Sequence, residues 1–306
     1  MKQVTVTVPA TTANLGPGFD CLGLALGLYN QITFTAETAQ ETHGKFTLTI
    51  NGEGIDRLPT DHGNLVVRAA ECIFERVGQR PPSLHIHQQN NIPVGSGLGS
   101  SAATVVGGML AANALVDTHL SDADLLHLAI QMEGHPDNVA PALYGGLTLV
   151  IQENRQLHVE QIDTPPLRVV VVLPDFDLPT LSARAVLPPQ VPFADAVFNS
   201  ARLGLLLQAL ATADYSKLQL AMQDRLHQPY RLRLIPGAAA AFAAAYSAGA
   251  AGVALSGAGP SVIAFAADNH EAIGQAMASA FAAAGLMSRT WILPTDFRGS
   301  RLKMNG

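Results

Sequence analysis

Residues 91–108 read Asn91-Ile-Pro-Val-Gly-Ser-Gly-Leu-Gly-Ser-Ser-Ala-Ala-Thr-Val-Val-Gly-Gly108, and the reading of this stretch decides the fold. Glycines alternate at Gly95, Gly97 and Gly99, Ser100 and Ser101 follow, and an uncharged apolar run continues to Val116. Glycine takes positive φ at little steric cost and lets another group approach the backbone. A Gly-x-Gly-x-Gly loop that opens a helix therefore aims several free N–H groups at one point, where the helix dipole adds positive potential. Such an end binds phosphate. The hydroxyls of Ser100 and Ser101 stand where they can take a phosphate oxygen or a Mg²⁺ ion. Two better-known phosphate loops do not fit. No Gly-Lys-Ser/Thr follows, in a chain with only four lysines, Lys2, Lys45, Lys217 and Lys303. The dinucleotide spacing Gly-x-Gly-x-x-Gly fails because the third glycine comes one residue early. The plain structural alternative is a tight turn into a buried helix.

The rest of the chain sets bounds on what this loop can serve. Its 306 residues allow a large core in two domains or one. Hydrophobic residues make up 48% and charged ones 14%, a composition that excludes disorder. With a net charge of −6 and no basic stripe, nucleic acid is not the expected partner. Cys21 and Cys72 are too few for a disulfide framework or a structural zinc site, and read as small buried hydrophobes in a reducing compartment. The chain opens on an alternating strand and not on a signal peptide. The uncharged run from Leu234 to Ala267 is broken by Pro236, Gly249, Gly252 and Ser256-Gly-Ala-Gly-Pro260 into a helix, a turn and a strand. It reads as core, so no membrane partner is expected, and the protein is expected to be soluble and cytoplasmic.

Val4–Val8 alternates with period two, a half-buried strand. It runs into Pro9-Ala-Thr-Thr-Ala-Asn-Leu-Gly-Pro-Gly-Phe-Asp20, where Gly16-Pro17-Gly18 forces a turn flanked by Asn14 and Asp20. Either side chain can cap that turn or meet a polar ligand group. Strands are expected at Gln31–Ala36 and Lys45–Ile50. Asn64–Val77 has apolar residues at helical spacing and stops at Gly78, with Asn64 as its N-cap. Leu84–Gln88 alternates and puts His85 and His87 on one face, which without a third ligand reads as a solvated face. Ser121-Asp-Ala-Asp opens a capped helix that runs to Met132. There follows Glu133-Gly-His-Pro-Asp-Asn-Val-Ala-Pro-Ala142, in which Asp137 can cap a helix carrying Pro141 in its first turns. Glu133, His135, Asp137 and Asn138 together exceed what one cap needs.

Leu147–Gln152 reads as a strand, and the polar segment Arg155–Pro166 marks the expected boundary between domains 1–160 and 161–306. Leu167–Leu173 is a buried strand. Helical patterns fill Phe193–Thr212, Tyr215–His227 and Pro236–Ser247, the last alanine-rich and suited to close packing. Val262–Phe265, Glu271–Ala284 and Trp291–Leu293 read as strand, helix and closing strand. No internal repeat is visible. Taken singly, Arg184 and Arg231 read as surface arginines.

Four segments carry a resemblance. Pro93-x-Gly-x-Gly-Leu-Gly-Ser-Ser-Ala-Ala103 resembles the second motif of the GHMP small-molecule kinases. Pro9–Asp20 is similar to the first motif in its homoserine kinase form, and Ser256–Ser261 to the third, a glycine turn that braces the first near the phosphates. His135-x-Asp-Asn-Val-Ala-Pro-Ala142, followed by Gly145-Gly146, resembles homoserine kinases specifically. The resemblance implies an α+β fold of two domains, with an ATP-bearing N-terminal domain, a ferredoxin-like C-terminal domain and the active site between them. It implies ATP wrapped by Pro93, Val94, Gly95, Ser96, Gly97, Leu98, Gly99, Ser100, Ser101, Ala102 and Ala103, with Asn64 beside the adenine. Mg²⁺ would sit near Ser100, Ser101 and Glu133. Superfamily members with a clear magnesium glutamate carry it further upstream of the aspartate, whereas Glu133 is four residues before Asp137 and would need a shortened loop.

The implied reaction is transfer of the ATP γ-phosphoryl to the hydroxyl of L-homoserine, a small-molecule substrate, on the path to threonine. Asn14 and Asp20 would hold the amino end, with His135 and Asn138 in the same pocket and Thr180 near the reacting end. The resemblance also reverses the surface reading of the arginines: Arg184 and Arg231 would grip the carboxylate with their planar forks. Asp137 matches a proposed catalytic aspartate. A loose phosphoryl transition state needs little deprotonation, so Asn138 can instead position the hydroxyl without a base. Two rivals stay open: a GHMP kinase for another small alcohol, and a nucleotide sensor without turnover. A homodimer is compatible with the resemblance.

Overall fold

A computed structural model describes residues 2–37, 45–154 and 156–305. Arg155, the first residue of the expected boundary segment, lies outside the described residues. The alternation seen at Val4–Val8 belongs to a longer strand, β1 (Lys2–Asn14), whose hairpin partner β2 (Gly18–Glu37) is longer still. The turn between them falls at the Gly-Pro-Gly, as the sequence predicts. Next come β3 (Lys45–Gly52), α1 (Leu65–Val77), β4 (Ser83–Asn90), α2 (Ser100–Leu115), α3 (Asp122–Glu133), α4 (Val139–Tyr144), β5 (Leu147–Glu153) and β6 (Gln156–Ile162).

The second half runs β7 (Arg168–Pro174), α5 (Thr180–Ala185), α6 (Phe193–Ala211), α7 (Leu218–Ala221), α8 (Gln228–Arg231), α9 (Ala238–Ser247), β8 (Gly252–Leu255), β9 (Val262–Phe265), α10 (His270–Ala283), β10 (Ser288–Pro294) and β11 (Arg301–Asn305).

Two sheets organise these elements. The first has the order β11-β1-β2-β4-β3, with β5 on the lower part of β2 and β6 beside β5. Parallel pairing of β3 and β4 across α1 makes a βαβ unit. The strand β6 carries Gln156–Ile162 of the polar segment, and β11 returns from the end of the chain to pair with β1. The second sheet is antiparallel with the order β10-β7-β9-β8. With helices between β7 and β8 and α10 between β9 and β10, this is the ferredoxin-like βαββαβ arrangement.

Local chemistry explains the helices that matter. Asn64 caps α1 by accepting from Val66 N at 2.9 Å, and Gly78 closes it in the left-handed region. The run that is uncharged in the sequence becomes α2, buried on nearly every side, as a helix without a polar face must be. Ser121 and Asp124 form a reciprocal capping box on α3. On α9, Ala241 and Ala245 pack against Ile273, Met277 and Phe281 of α10. His85 and His87 bond outward to Thr47 (2.7 Å) and Asn51 (3.0 Å) on the neighbouring strand, the solvated face the sequence predicts. Cys21 and Cys72 are half-buried free thiols, more open than expected.

One helix differs from its sequence reading. Tyr215–His227 is not continuous: a 3₁₀ turn (Tyr215–Lys217) and α7 end at Ala221, and α8 starts only at Gln228. The Asp224 carboxylate is the reason. It accepts from the backbone N–H groups of Leu226 (2.8 Å), His227 (2.9 Å) and Gln228 (2.6 Å), so it competes with the helix for those donors. No helix among the described residues is long and apolar enough to cross a membrane.

Candidate active site

A cleft of about 700 Å³ opens between the two sheets, and most of the residues singled out in the sequence meet there. At one end are Leu58, Pro59, Asn64, Leu65, Gln88 and Thr104, and in the middle Val94, Gly95, Ser96, Gly97, Gly99, Ser100 and Ser101. At the other are Asn14, Asp20, Glu133, His135, Asp137, Asn138, Thr180, Arg184, Arg231 and Gly257.

The glycine loop is held by the third motif. Ser256 Oγ donates to Gly97 O at 2.7 Å, Gly257 N to Ala13 O at 3.1 Å, and Ser261 N to Ser96 O at 3.3 Å. Thus Ser256–Ser261 clamps both the first motif and the phosphate loop. Gly95, Gly97 and Gly99 all have left-handed φ, at 72°, 79° and 68°. They differ in what surrounds them. A Cβ on Gly97 would strike Ser256 O and stand 2.8 Å from Gly259 O, whereas one on Gly95 meets nothing within 4 Å. Gly97 is therefore needed for the loop–motif contact, and Gly95 faces open cleft. Gly95→Val should fold, at a backbone strain of roughly 1–2 kcal/mol, and lose ATP affinity. Calorimetry showing parental ATP binding by a folded Gly95→Val chain would refute the cradle; Gly97→Val is expected to destabilise the fold itself.

Four residues of the expected ATP set do not line the cleft. Leu98, Ala102 and Ala103 are fully buried: the loop turns Leu98 into the core just before the Gly99 N-cap, and the first turn of α2 does the same for Ala102 and Ala103. Pro93 lies on a separate groove with Glu53, Arg57 and Arg289. They shape the loop and do not face the cleft.

At the far end the polar groups are densely paired. Arg184 donates to Asp20 from Nη2 at 2.7 Å and Nη1 at 3.0 Å, a bidentate fork joining the first motif to α5. This contact raises the pKa of Arg184. Asn14 lines the cleft and also fixes the turn. It is buried, its Nδ2 donates to Gly257 O (2.8 Å), and its Oδ1 accepts from Asp20 N (2.9 Å). With Asn14 and Asp20 themselves at φ 71° and 57°, the amide fixes a left-handed turn and aims Asp20.

Asp137 is 3% exposed. Asn138 Nδ2 donates to its Oδ1 at 3.3 Å, while Asn138 Oδ1 accepts from Thr11 Oγ1 at 2.8 Å. His135 Nδ1 lies 3.2 Å from Asp137 Oδ1, poorly aimed for a hydrogen bond yet close enough that Asp137 holds the imidazole above its usual pKa. The same two carboxylates, Asp137 and Asp20, add to burial in pushing the Cys21 thiol up to about 11, which leaves it protonated and inert.

The GHMP kinases N terminal domain family model matches residues 64–146, and the GHMP kinases C terminal model matches residues 206–283. A homoserine kinase of Moorella thermoacetica is 47% identical over 92% of this chain and 93% of its own. One from Microchaete diplosiphon is 45% identical over 98% and 97%. The chain belongs to the homoserine kinase family of GHMP kinases. The crystal structure of homoserine kinase from Cytophaga hutchinsonii superposes with a TM-score of 0.88 at 33% identity, covering 98% of this chain and 97% of that one. The crystal structure of L. major mevalonate kinase matches at TM-score 0.72 and 17% identity, covering 94% of each chain, a likeness of fold alone.

In this member of the family the glutamate left open by its spacing reaches the phosphate loop. Ser101 Oγ donates to Glu133 Oε2 at 2.7 Å, and burial raises the pKa of that carboxyl. Sequence reasoning missed the residues under the site. Thr11, Asp224 and His227 carry no signal of their own: Thr11 acts through Asn138 and His227 through Gly16, both distant in sequence, while Asp224 holds the nearby backbone N–H groups of Leu226, His227 and Gln228.

Proposed function

We propose that the cleft holds L-homoserine as a zwitterion, with its carboxylate at Arg231 and Arg184, its ammonium at Asp20 and its hydroxyl beside Asp137. The reaction is the family's: transfer of the ATP γ-phosphoryl to that hydroxyl, giving O-phospho-L-homoserine for threonine synthesis. The observation that carries the proposal is Arg231, a guanidinium 1% exposed with no carboxylate partner among the described residues. It donates from Nε to Ala183 O (3.1 Å) and from Nη1 to Gly257 O (3.3 Å) and His227 Nδ1 (3.2 Å). Nη2 makes no hydrogen bond among the described residues. Burial, and then the nearby Arg184 charge, lower its pKa to about 10. A buried cation in this state gains most from a small anion that replaces lost hydration.

The Asp20–Arg184 pair completes the reading. Both groups are about a third exposed, so the pair itself is worth little and can be exchanged. A zwitterion replaces both halves at once, whereas an uncharged alcohol replaces neither. At the reacting end Asp137 takes the hydroxyl proton at its carboxylate, and Asn138, steadied by Thr11, orients the hydroxyl. For this transfer, positioning and charge stabilisation are the larger contributions. Glu133 and Ser101 fit a magnesium ion, since the half-buried carboxylate has a single neutral donor and magnesium takes carboxylate and hydroxyl oxygens alongside phosphate. When bound, the ion would neutralise phosphate charge.

A coupled ADP-release assay with homoserine, mevalonate, shikimate and galactose tests the reading. Release should depend on homoserine alone. Comparable release with an uncharged alcohol would show another GHMP substrate, and ATP binding without any release would show a sensor.

A further inference from the structure

Behind Arg231 lies a histidine that does not itself line the cleft. His227 is fully buried, stacked on Phe19 with ring centroids 5.1 Å apart and planes 22° from parallel. Its two nitrogens have partners that admit only one tautomer. Gly16 O, 2.8 Å from Nε2, can only accept, so Nε2 carries the proton. Arg231 Nη1, 3.2 Å from Nδ1, can only donate, so Nδ1 is the acceptor. The imidazole is neutral, and burial pushes its pKa down from the usual value. The charged groups facing it are Asp224, whose Oδ2 is 3.6 Å from Nε2, together with Arg231 and Asp20.

Asp224 does not compete for the ring. Its oxygens are filled by three backbone N–H groups and by Asn199 Nδ2 at 2.7 Å. That set of bonds fixes the backbone of His227 at the start of α8, one turn before Arg231. The ring thus joins the Gly16 turn of the first motif to the guanidinium on α8.

We propose that His227 is a positioning residue for Arg231: as the neutral Nε2–H tautomer it accepts from Nη1 and holds the guanidinium in the one orientation that leaves Nη2 free for the substrate carboxylate. Arginine has many rotamers, and a guanidinium whose Nη2 is aimed in advance does not lose that freedom when the carboxylate binds. The inference rests on the reading of Arg231 as the carboxylate group, and the test separates the two.

Three variants divide the two bonds of the ring. His227→Asn keeps an acceptor near Nδ1 and loses the donor to Gly16. His227→Gln keeps a donor near Nε2 and loses the acceptor. His227→Leu loses both. Homoserine KM, ATP KM and thermal stability are measured for each, with Arg231→Ala in the same series. The Gln and Leu variants should raise homoserine KM roughly tenfold and the Asn variant less than about threefold, with ATP KM unchanged. Stability should follow a different order, with Asn losing more than Gln because the Gly16 carbonyl loses its donor. If homoserine KM instead tracks stability across the three, or Gln and Asn are alike in KM, His227 only fills space and the inference falls. If Arg231→Ala itself leaves homoserine KM unchanged, the carboxylate reading falls first. A raised KM in Arg231→Ala with a parental KM in His227→Gln would remove the positioning role alone.

Discussion

Asp137→Asn is expected to lower kcat by ~10²–10⁴-fold while homoserine KM changes little, the range typical of lost general-base help. The carboxylate is 3% exposed, and asparagine has its shape, so the variant should keep its fold. The change removes an acceptor that matters chiefly as the hydroxyl proton leaves, which is why kcat and not KM should carry the effect. An internal check is available in His135, whose pKa Asp137 holds above the usual value. In Asp137→Asn the His135 titration should move down, which confirms that the charge was removed at the intended place. A kcat loss below about tenfold would instead assign hydroxyl positioning to Asn138 without a base.

Much of the fold was legible because its signals are local. The uncharged run after Ser101 could only be a buried helix, Asn64 and Gly78 bracket α1, and the Gly-Pro-Gly turn is where β1 and β2 join. What is not legible depends on which side chains take the backbone donors and on which strands pair, neither of which a local pattern encodes. Tyr215–His227 has helical spacing, yet the Asp224 carboxylate takes the N–H groups that a continuous helix would use. The last strand β11 is short and polar, and only its pairing with β1 makes it a strand.

The site divides in the same way. Asp20, Asp137, Arg184 and Arg231 line the cleft, as their motifs imply. Asn14 stands in a matching motif position, but Gly257 and Asp20 N engage its amide, which no sequence spacing reveals. Leu98, Ala102 and Ala103 stand in the phosphate-loop motif as buried residues, Leu98 from the loop and the two alanines from α2, a reason that a motif cannot separate from contact. His227 appeared only as the end of a helix pattern. Its ring bonds to Gly16, 211 residues away in the chain, a contact with no local signal.

The most direct test of a zwitterion-reading cleft removes the carboxylate from the substrate and its partner from the protein. A bond to a charged group contributes about 1.5–3 kcal/mol, so Arg231→Ala or Arg184→Ala should lower kcat/KM for homoserine roughly ten- to hundred-fold. ATP KM should change little, because the glycine loop is held by Ser256 Oγ on Gly97 O and Ser261 N on Ser96 O, bonds in which neither guanidinium takes part; Arg231 reaches this segment only at Gly257 O. Arg184 is partly exposed, so its variant serves as the check that packing loss at buried Arg231 is not the cause. The measurement is kcat/KM for homoserine and for 2-amino-1,4-butanediol, in which the carboxylate is reduced to an alcohol, on the parent and on each variant. The diol should be a poor substrate for the parent and lose little more on either variant, since substrate and protein have each lost one partner of the same contact. Equal penalties on the acid and the diol would contradict the account, leaving both arginines as structural residues and the substrate's charged end unread.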